Sequence, residues 1–105
     1  MVRQGQVWLV ALDPTRGSEI RKTRPCLVVS PDTINRRVRT PLFAPLTSQG
    51  RPAPWRVPLV WRERDALALL DQLRALDHDR LIKIQGDVDQ ETLDRVLDYL
   101  QIMFA

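Results

Sequence analysis

Helical periodicity in this chain is confined to its last stretch. From Asp89 onward, Leu93, Val96, Leu97, Leu100, Met103 and Phe104 recur at helical spacing and share one face. Asp94, Arg95, Asp98 and Gln101 take the other face, and Asp89 stands where an N-cap side chain belongs. Everything upstream is built from short apolar runs of strand length. Gln6 to Leu12 is the first, and Pro25 to Ser30 is the second, rich in valine and closed by Pro31. Arg39 to Thr47 is a third; Pro41 and Pro45 within it cannot donate to a ladder, which predicts a bulge or an edge there. Trp55, Val57, Leu59 and Trp61 alternate as a fourth, with two indoles on one face, and Leu67 to Leu70 is the fifth. Asp32 to Arg37 reads as a turn or short helix with Asp32 placed to cap it. Ser48 to Pro54, with Gly50, Pro52 and Pro54, reads as a loop. Five short strands and one terminal helix predict a mainly β chain: a small, strongly curved antiparallel sheet or barrel closed by that helix.

At 105 residues this is the size of one domain, spanning 1–105, with an adequate core. Hydrophobic residues make up 44% and charged residues 28%, the balance of a globular protein. No apolar run reaches the length of a membrane span, and the N-terminus lacks the apolar core of a signal peptide. The expectation is a cytoplasmic protein that does not engage membranes.

The net charge of +3 hides a polarity along the chain. Residues 1–64 hold 12 Lys and Arg against 4 Asp and Glu, whereas residues 65–105 hold 4 against 9. A basic half attracts polyanions, although charge alone fits an ordinary solvated surface equally well. The cations concentrate between the first two strands. Arg16, Arg21, Lys22 and Arg24 surround a single carboxylate, Glu19, and Gly17 lets the backbone approach a ligand closely. Guanidinium forks match phosphate geometry, so this loop is a candidate anion site.

Several chemistries are excluded. One cysteine and one histidine cannot supply a zinc site, and there is no P-loop or dinucleotide fingerprint. Cys26 lies in a Leu-Val-Val run, where a cysteine behaves as a small buried hydrophobe rather than a nucleophile. Asp77-His78-Asp79 reads as a solvated connection rather than a metal site. Trp8, Trp55 and Trp61 offer stacking faces for bases, but core packing is the stronger expectation for them.

Four motifs stand in order: Asp13-Pro14-Thr15-Arg16-Gly17-Ser18-Glu19, Arg24-Pro25-Cys26-Leu27-Val28-Val29-Ser30, Pro45-Leu46-Thr47-Ser48, and Leu69-Leu70-Asp71-Gln72-Leu73-Arg74. Asp77 and Arg80-Leu81 follow. Together they resemble the MazF/PemK family of toxin endoribonucleases over nearly the whole chain. The resemblance implies an SH3-like barrel shared with CcdB and a homodimer, while the lack of metal-ligand spacing makes a nuclease here metal-independent, with no cofactor. The resemblance also implies single-stranded RNA as substrate and a cognate antitoxin whose disordered acidic segment covers the basic groove. It puts Arg24 and Thr47 at the centre of catalysis. Arg24 precedes a proline, which biases it to extended backbone, and its guanidinium suits stabilisation of a phosphorane. The Thr47 hydroxyl suits donation to a phosphate oxygen, and Glu19 is a candidate base whose neighbouring cations weaken it. RNA contacts are expected at Asp13, Arg16, Gly17, Ser18, Arg21 and Lys22, and at Ser48, Gln49 and Gln72, whose side chains suit base edges. Structural capping competes with base contact at Asp71 and Gln72. Pro41 and Pro58 inside strands, Trp55 where the family commonly has another aromatic, and the proline-rich loop after Thr47 depart from the family pattern and bear on the cleavage motif. A gyrase-binding toxin on the same barrel and a plain nucleic-acid-binding module are the rival readings.

Overall fold

The computed structural model describes residues 1–12 and 22–105. Among these described residues, seven strands pair throughout in antiparallel fashion: β1 (Gln6–Leu12), β2 (Lys22–Val28), β3 (Leu42–Thr47), β4 (Arg56–Trp61), β5 (Arg64–Leu69), β6 (Arg74–Ala75) and β7 (Leu81–Asp87). A four-residue helix, α1 (Asp32–Asn35), follows β2, and α2 (Gln90–Met103) ends the chain. The strand order is β4-β5-β3-β2-β1-β7, with β6 paired to β3. The expected β-sheet with a C-terminal helix is therefore the observed fold.

The run Cys26-Leu27-Val28-Val29 is continuously apolar because β2 is covered on both faces. Leu27 and Val29 join a cluster with Val7, Leu46, Val57, Leu70 and Val96. Cys26 and Val28 join another with Val10, Leu12, Phe43 and Leu76. Helix α2 forms as its pattern predicts. The Asp89 carboxylate accepts from the Thr92 N–H at 2.8 Å, and Leu93 and Val96 reach the core. Beyond Leu100 the apolar residues outrun the sheet, leaving Ile102, Met103 and Phe104 exposed.

The outer strands β4 and β7 do not share a ladder, yet side chains join them. Arg62 donates to the Gln85 carbonyl at 3.1 Å, and Trp61 lies against Gly86. From α2, Arg95 donates to the Pro58 carbonyl at 2.8 Å. Pro45 stands opposite Cys26, where the second partner of β3 changes from β6 to β5. A missing donor costs little at such a break.

Several expectations need correction. The third strand begins at Leu42, with Pro41 buried just ahead of it. Strand β5 starts at Arg64, before its apolar run, because Arg62 and Glu63, at φ +53° and +66°, form the tight turn that starts its ladder with β4. Strand β7 was not expected, because its apolar residues Ile82 and Ile84 face outward. Trp55 lies outside β4 and is 47% exposed, so it does not share a buried face with Trp61. Asp32 does not cap α1. Pro31 occupies that position, and the Asp32 carboxylate accepts instead from the Gln4 N–H at 2.7 Å. The Asp77-His78-Asp79 run is a connection, as expected: Asp77 caps a 3-10 turn (His78–Arg80), and Arg39 reaches the Asp77 and Asp79 carboxylates at 3.2 and 3.3 Å. Among the described residues, no helix is long and apolar enough to cross a membrane.

Candidate active site

Arg24 sits in β2 opposite Val10, and Thr47 ends β3 opposite Leu67. These strands are not chosen for chemistry: β2 and β3 pair because Cys26 to Val28 and Phe43 to Pro45 are fully apolar partners. The pairing nevertheless brings the polar end of each strand to one side of the sheet. Arg24 is half-buried, and its Nε is shielded from solvent with no acceptor among the described residues. Thr47 is only 8% exposed. Its Oγ1 accepts from the Gln49 N–H at 3.1 Å, which fixes the turn after the strand and leaves the hydroxyl proton to donate.

Arg24 and Thr47 together line two hollows. One, of about 240 Å³, continues over Pro25, Ser48, Trp61, Arg64 and Asp65. The other, of about 270 Å³, continues over Gln49, Gly50, Arg56 and Gln72. Thr47 also borders a third hollow of about 360 Å³ that passes Ser48 and Asp65 toward Pro58. Thr47 is thus the junction of three concavities, and Arg24 is the cation common to two of them. Two residues on from Arg24 lies Cys26, fully buried, whose thiol donates to the Arg24 carbonyl at 3.6 Å. Burial pushes its pKa up to about 12 in spite of the nearby Arg74 and Arg24 guanidinium groups, so it packs rather than reacts.

The expected site residues divide by location. Asp13, Arg16, Gly17, Ser18, Glu19 and Arg21 lie outside the described residues. Lys22 opens β2, exposed, at φ +68°. Ser48 and Gln49 are exposed beside Thr47, and Gln72 reaches the hollow from the 3-10 turn after β5. Asp71 caps nothing. Its carboxylate grips Arg56, Oδ2 to Nη2 at 3.0 Å and Oδ1 to Nε at 3.3 Å. Trp61 packs against the core as expected and also lines the hollow. Trp8 packs against the second cluster and donates to Gln6 Oε1 at 3.0 Å.

Arg56, Arg64 and Asp65 were not foreseen. The apolar alternation from Trp55 to Trp61 marks a strand and assigns no role to a charged residue at its end. The Arg56–Leu69 register, which sets Arg56 beside Asp71, appears only when β4 and β5 pair.

Residues 3–104 match the model of the PemK-like, MazF-like toxins of type II toxin–antitoxin systems. The chain is 36% identical over 111 residues to the endoribonuclease EndoA of Bacillus subtilis, covering 100% of this chain and 96% of that one. Among solved structures it is similar to MazF from Deinococcus radiodurans, at TM-score 0.84 and 25% identity, over 98% of this chain and 96% of the other. Its fold also matches that of a mycobacterial endoribonuclease solved in complex with its cognate antitoxin. That match has TM-score 0.77 and 24% identity, over 95% and 91% of the two chains. With a full-length family match, a close full-length relative and the same fold, the chain belongs to the PemK-like, MazF-like toxins of type II toxin–antitoxin systems.

Proposed function

We propose that this chain is an endoribonuclease toxin that cuts single-stranded RNA without a metal ion, and that a cognate antitoxin silences it. The observation that carries the reading is the Arg24 guanidinium, whose Nε is shut away from water with no acceptor among the described residues, beside a buried threonine hydroxyl. A buried cationic donor left unpaired costs free energy, and a phosphate oxygen would complete it. Family membership supplies the substrate class, since EndoA and the mycobacterial relative are named endoribonucleases.

RNA carries its own nucleophile. The 2′-hydroxyl attacks the adjacent phosphorus, the 5′ oxygen departs, and the products are a 2′,3′-cyclic phosphate and a 5′-hydroxyl. The protein then has three tasks: to take the 2′ proton, to stabilise charge on the phosphorane oxygens, and to return a proton to the leaving oxygen. Arg24 serves the second task by charge-assisted donation. Thr47 adds a neutral donor from a hydroxyl already oriented by Gln49. Glu19 is the candidate base. Arg16, Gly17, Ser18, Arg21 and Lys22 hold backbone phosphates and Asp13 contacts the RNA, while Ser48, Gln49 and Gln72 meet base edges.

The working unit is a homodimer, and the antitoxin partner presents an acidic segment that orders on binding. Incubation of pure protein with RNA in EDTA tests the reading. Cyclic-phosphate and 5′-hydroxyl ends are expected. Activity lost in EDTA and restored by magnesium, with 5′-phosphate products, would refute it. Binding without cleavage would leave a nucleic-acid-binding module, and gyrase inhibition without cleavage a gyrase-directed toxin.

A further inference from the structure

We infer that Arg56 is a second phosphate-binding residue of this groove and that Asp71 is the positioning residue that aims it. The inference rests on reading the groove as an RNA site. Arg56 opens β4 opposite Leu69, two residues before Asp71, so the ladder itself delivers the pair. The carboxylate takes one edge of the guanidinium, with Oδ1 on Nε at 3.3 Å and Oδ2 on Nη2 at 3.0 Å. A guanidinium has five N–H groups, and this grip uses two. The remaining donors include both on Nη1. That nitrogen lies 3.7 Å from where a Cβ at Gly50 would stand, so the missing side chain there leaves the free edge uncovered. Arg24 and Thr47 line the same hollow of about 270 Å³.

Two guanidinium groups therefore border one concavity, and the second is held in a single pose by a carboxylate on its far edge. As a stabilising ion pair this contact has little to offer, since both side chains are about one-third exposed, at 30% and 33%. As a bracket it has a use. It prepays the ordering of a long side chain that must meet a phosphate with a fixed fork.

The test is binding of a 2′-O-methylated RNA oligonucleotide, which has no nucleophile, followed by fluorescence anisotropy over a range of salt. Arg56→Gln should weaken binding roughly tenfold and make the slope of log affinity against log salt shallower by about 0.7, the loss of one phosphate contact on a single strand. Arg56→Lys keeps the charge but loses the fork, and should also weaken binding several-fold. Asp71→Asn gives the decisive sign. Removing a negative charge beside a polyanion tightens binding if only bulk electrostatics matter, whereas loss of positioning weakens it several-fold with the salt slope retained. Unchanged or tighter binding by Asp71→Asn would overturn the inference. Failure of the unaltered protein to bind the oligonucleotide would instead overturn the RNA reading of the groove.

Discussion

The indole of Trp61 lies across Gly86, where an added Cβ would stand 3.3 Å from Cη2. This contact, with the Arg62 bond to the Gln85 carbonyl, joins the two strands at opposite ends of the sheet order. Gly86 is at φ +140°, a conformation that side chains with a Cβ rarely adopt. Gly86→Ala should therefore both strain the backbone and push the indole away. The expected cost is about 1–3 kcal/mol, read as a lower denaturation midpoint. Trp61 fluorescence should shift as its ring gains water. An alanine variant as stable as the parent would show that the β4–β7 contact contributes nothing to closure.

Burial of Cys26 makes a pH prediction. Its thiol moves from 9.0 in the unfolded chain to about 12 in the folded one. Well below pH 9 the thiol is protonated in both states and its contribution to stability is fully present. As pH rises from 9 toward 12, the unfolded thiol ionises while the folded one stays neutral, so stability falls. Melting temperatures should drop across that window, and Cys26→Ala should flatten this part of the profile. Iodoacetamide at pH 8 should label native protein far more slowly than denatured protein. Fast native labelling would contradict the burial.

What could be read from the sequence was whatever is encoded locally. Asp89 and the 3.6-residue period specified α2, and the valine-rich run from Pro25 to Ser30 specified a strand. The hidden elements depend on pairing. Strand β7 carries Ile82 and Ile84 on its exposed side, so its pattern has no buried stripe to mark it. The start of β5 at Arg64 follows from the turn geometry at Arg62 and Glu63 rather than from hydrophobicity. In the candidate site, motifs single out Arg24 and Thr47, and the β2 and β3 strands bring them to the same hollows. Arg56 was not legible, because its place in the hollow follows from a ladder with Leu69 and a grip by Asp71.

Arg24 and Thr47 should be separable by substitution. Arg24→Ala removes a preorganised cationic donor and should cost about 2.7–4 kcal/mol of transition-state stabilisation. Thr47→Ser keeps the hydroxyl that holds the Gln49 N–H and should retain most activity, whereas Thr47→Val loses both the donor and that bond. Glu19→Gln should be milder than either loss. Circular dichroism confirms that each variant folds, and single-turnover cleavage of a labelled oligonucleotide gives the rates. Parental rates for a folded Arg24→Ala protein would remove Arg24 from the mechanism.

Inhibition by antitoxin should follow from the charge polarity of the chain. Residues 1–64 carry 12 basic against 4 acidic side chains, and Lys22, Arg24 and Arg56 belong to that half. An acidic antitoxin segment and an RNA backbone offer the same feature to this surface, a spaced row of negative charge. The two ligands should therefore compete for the groove. Part of each affinity is charge attraction, so both should weaken as salt rises, RNA the more steeply because it also releases condensed counterions. Charge reversal at Arg21 and Lys22 should weaken both ligands together. The exposed Lys22 lies outside the two core clusters, so its reversal should leave the melting temperature nearly unchanged. The measurement is a titration of labelled RNA, held at half saturation, with antitoxin peptide. A rising apparent Kd for RNA is expected, and an RNA affinity unmoved by saturating peptide would show that the two ligands occupy separate sites.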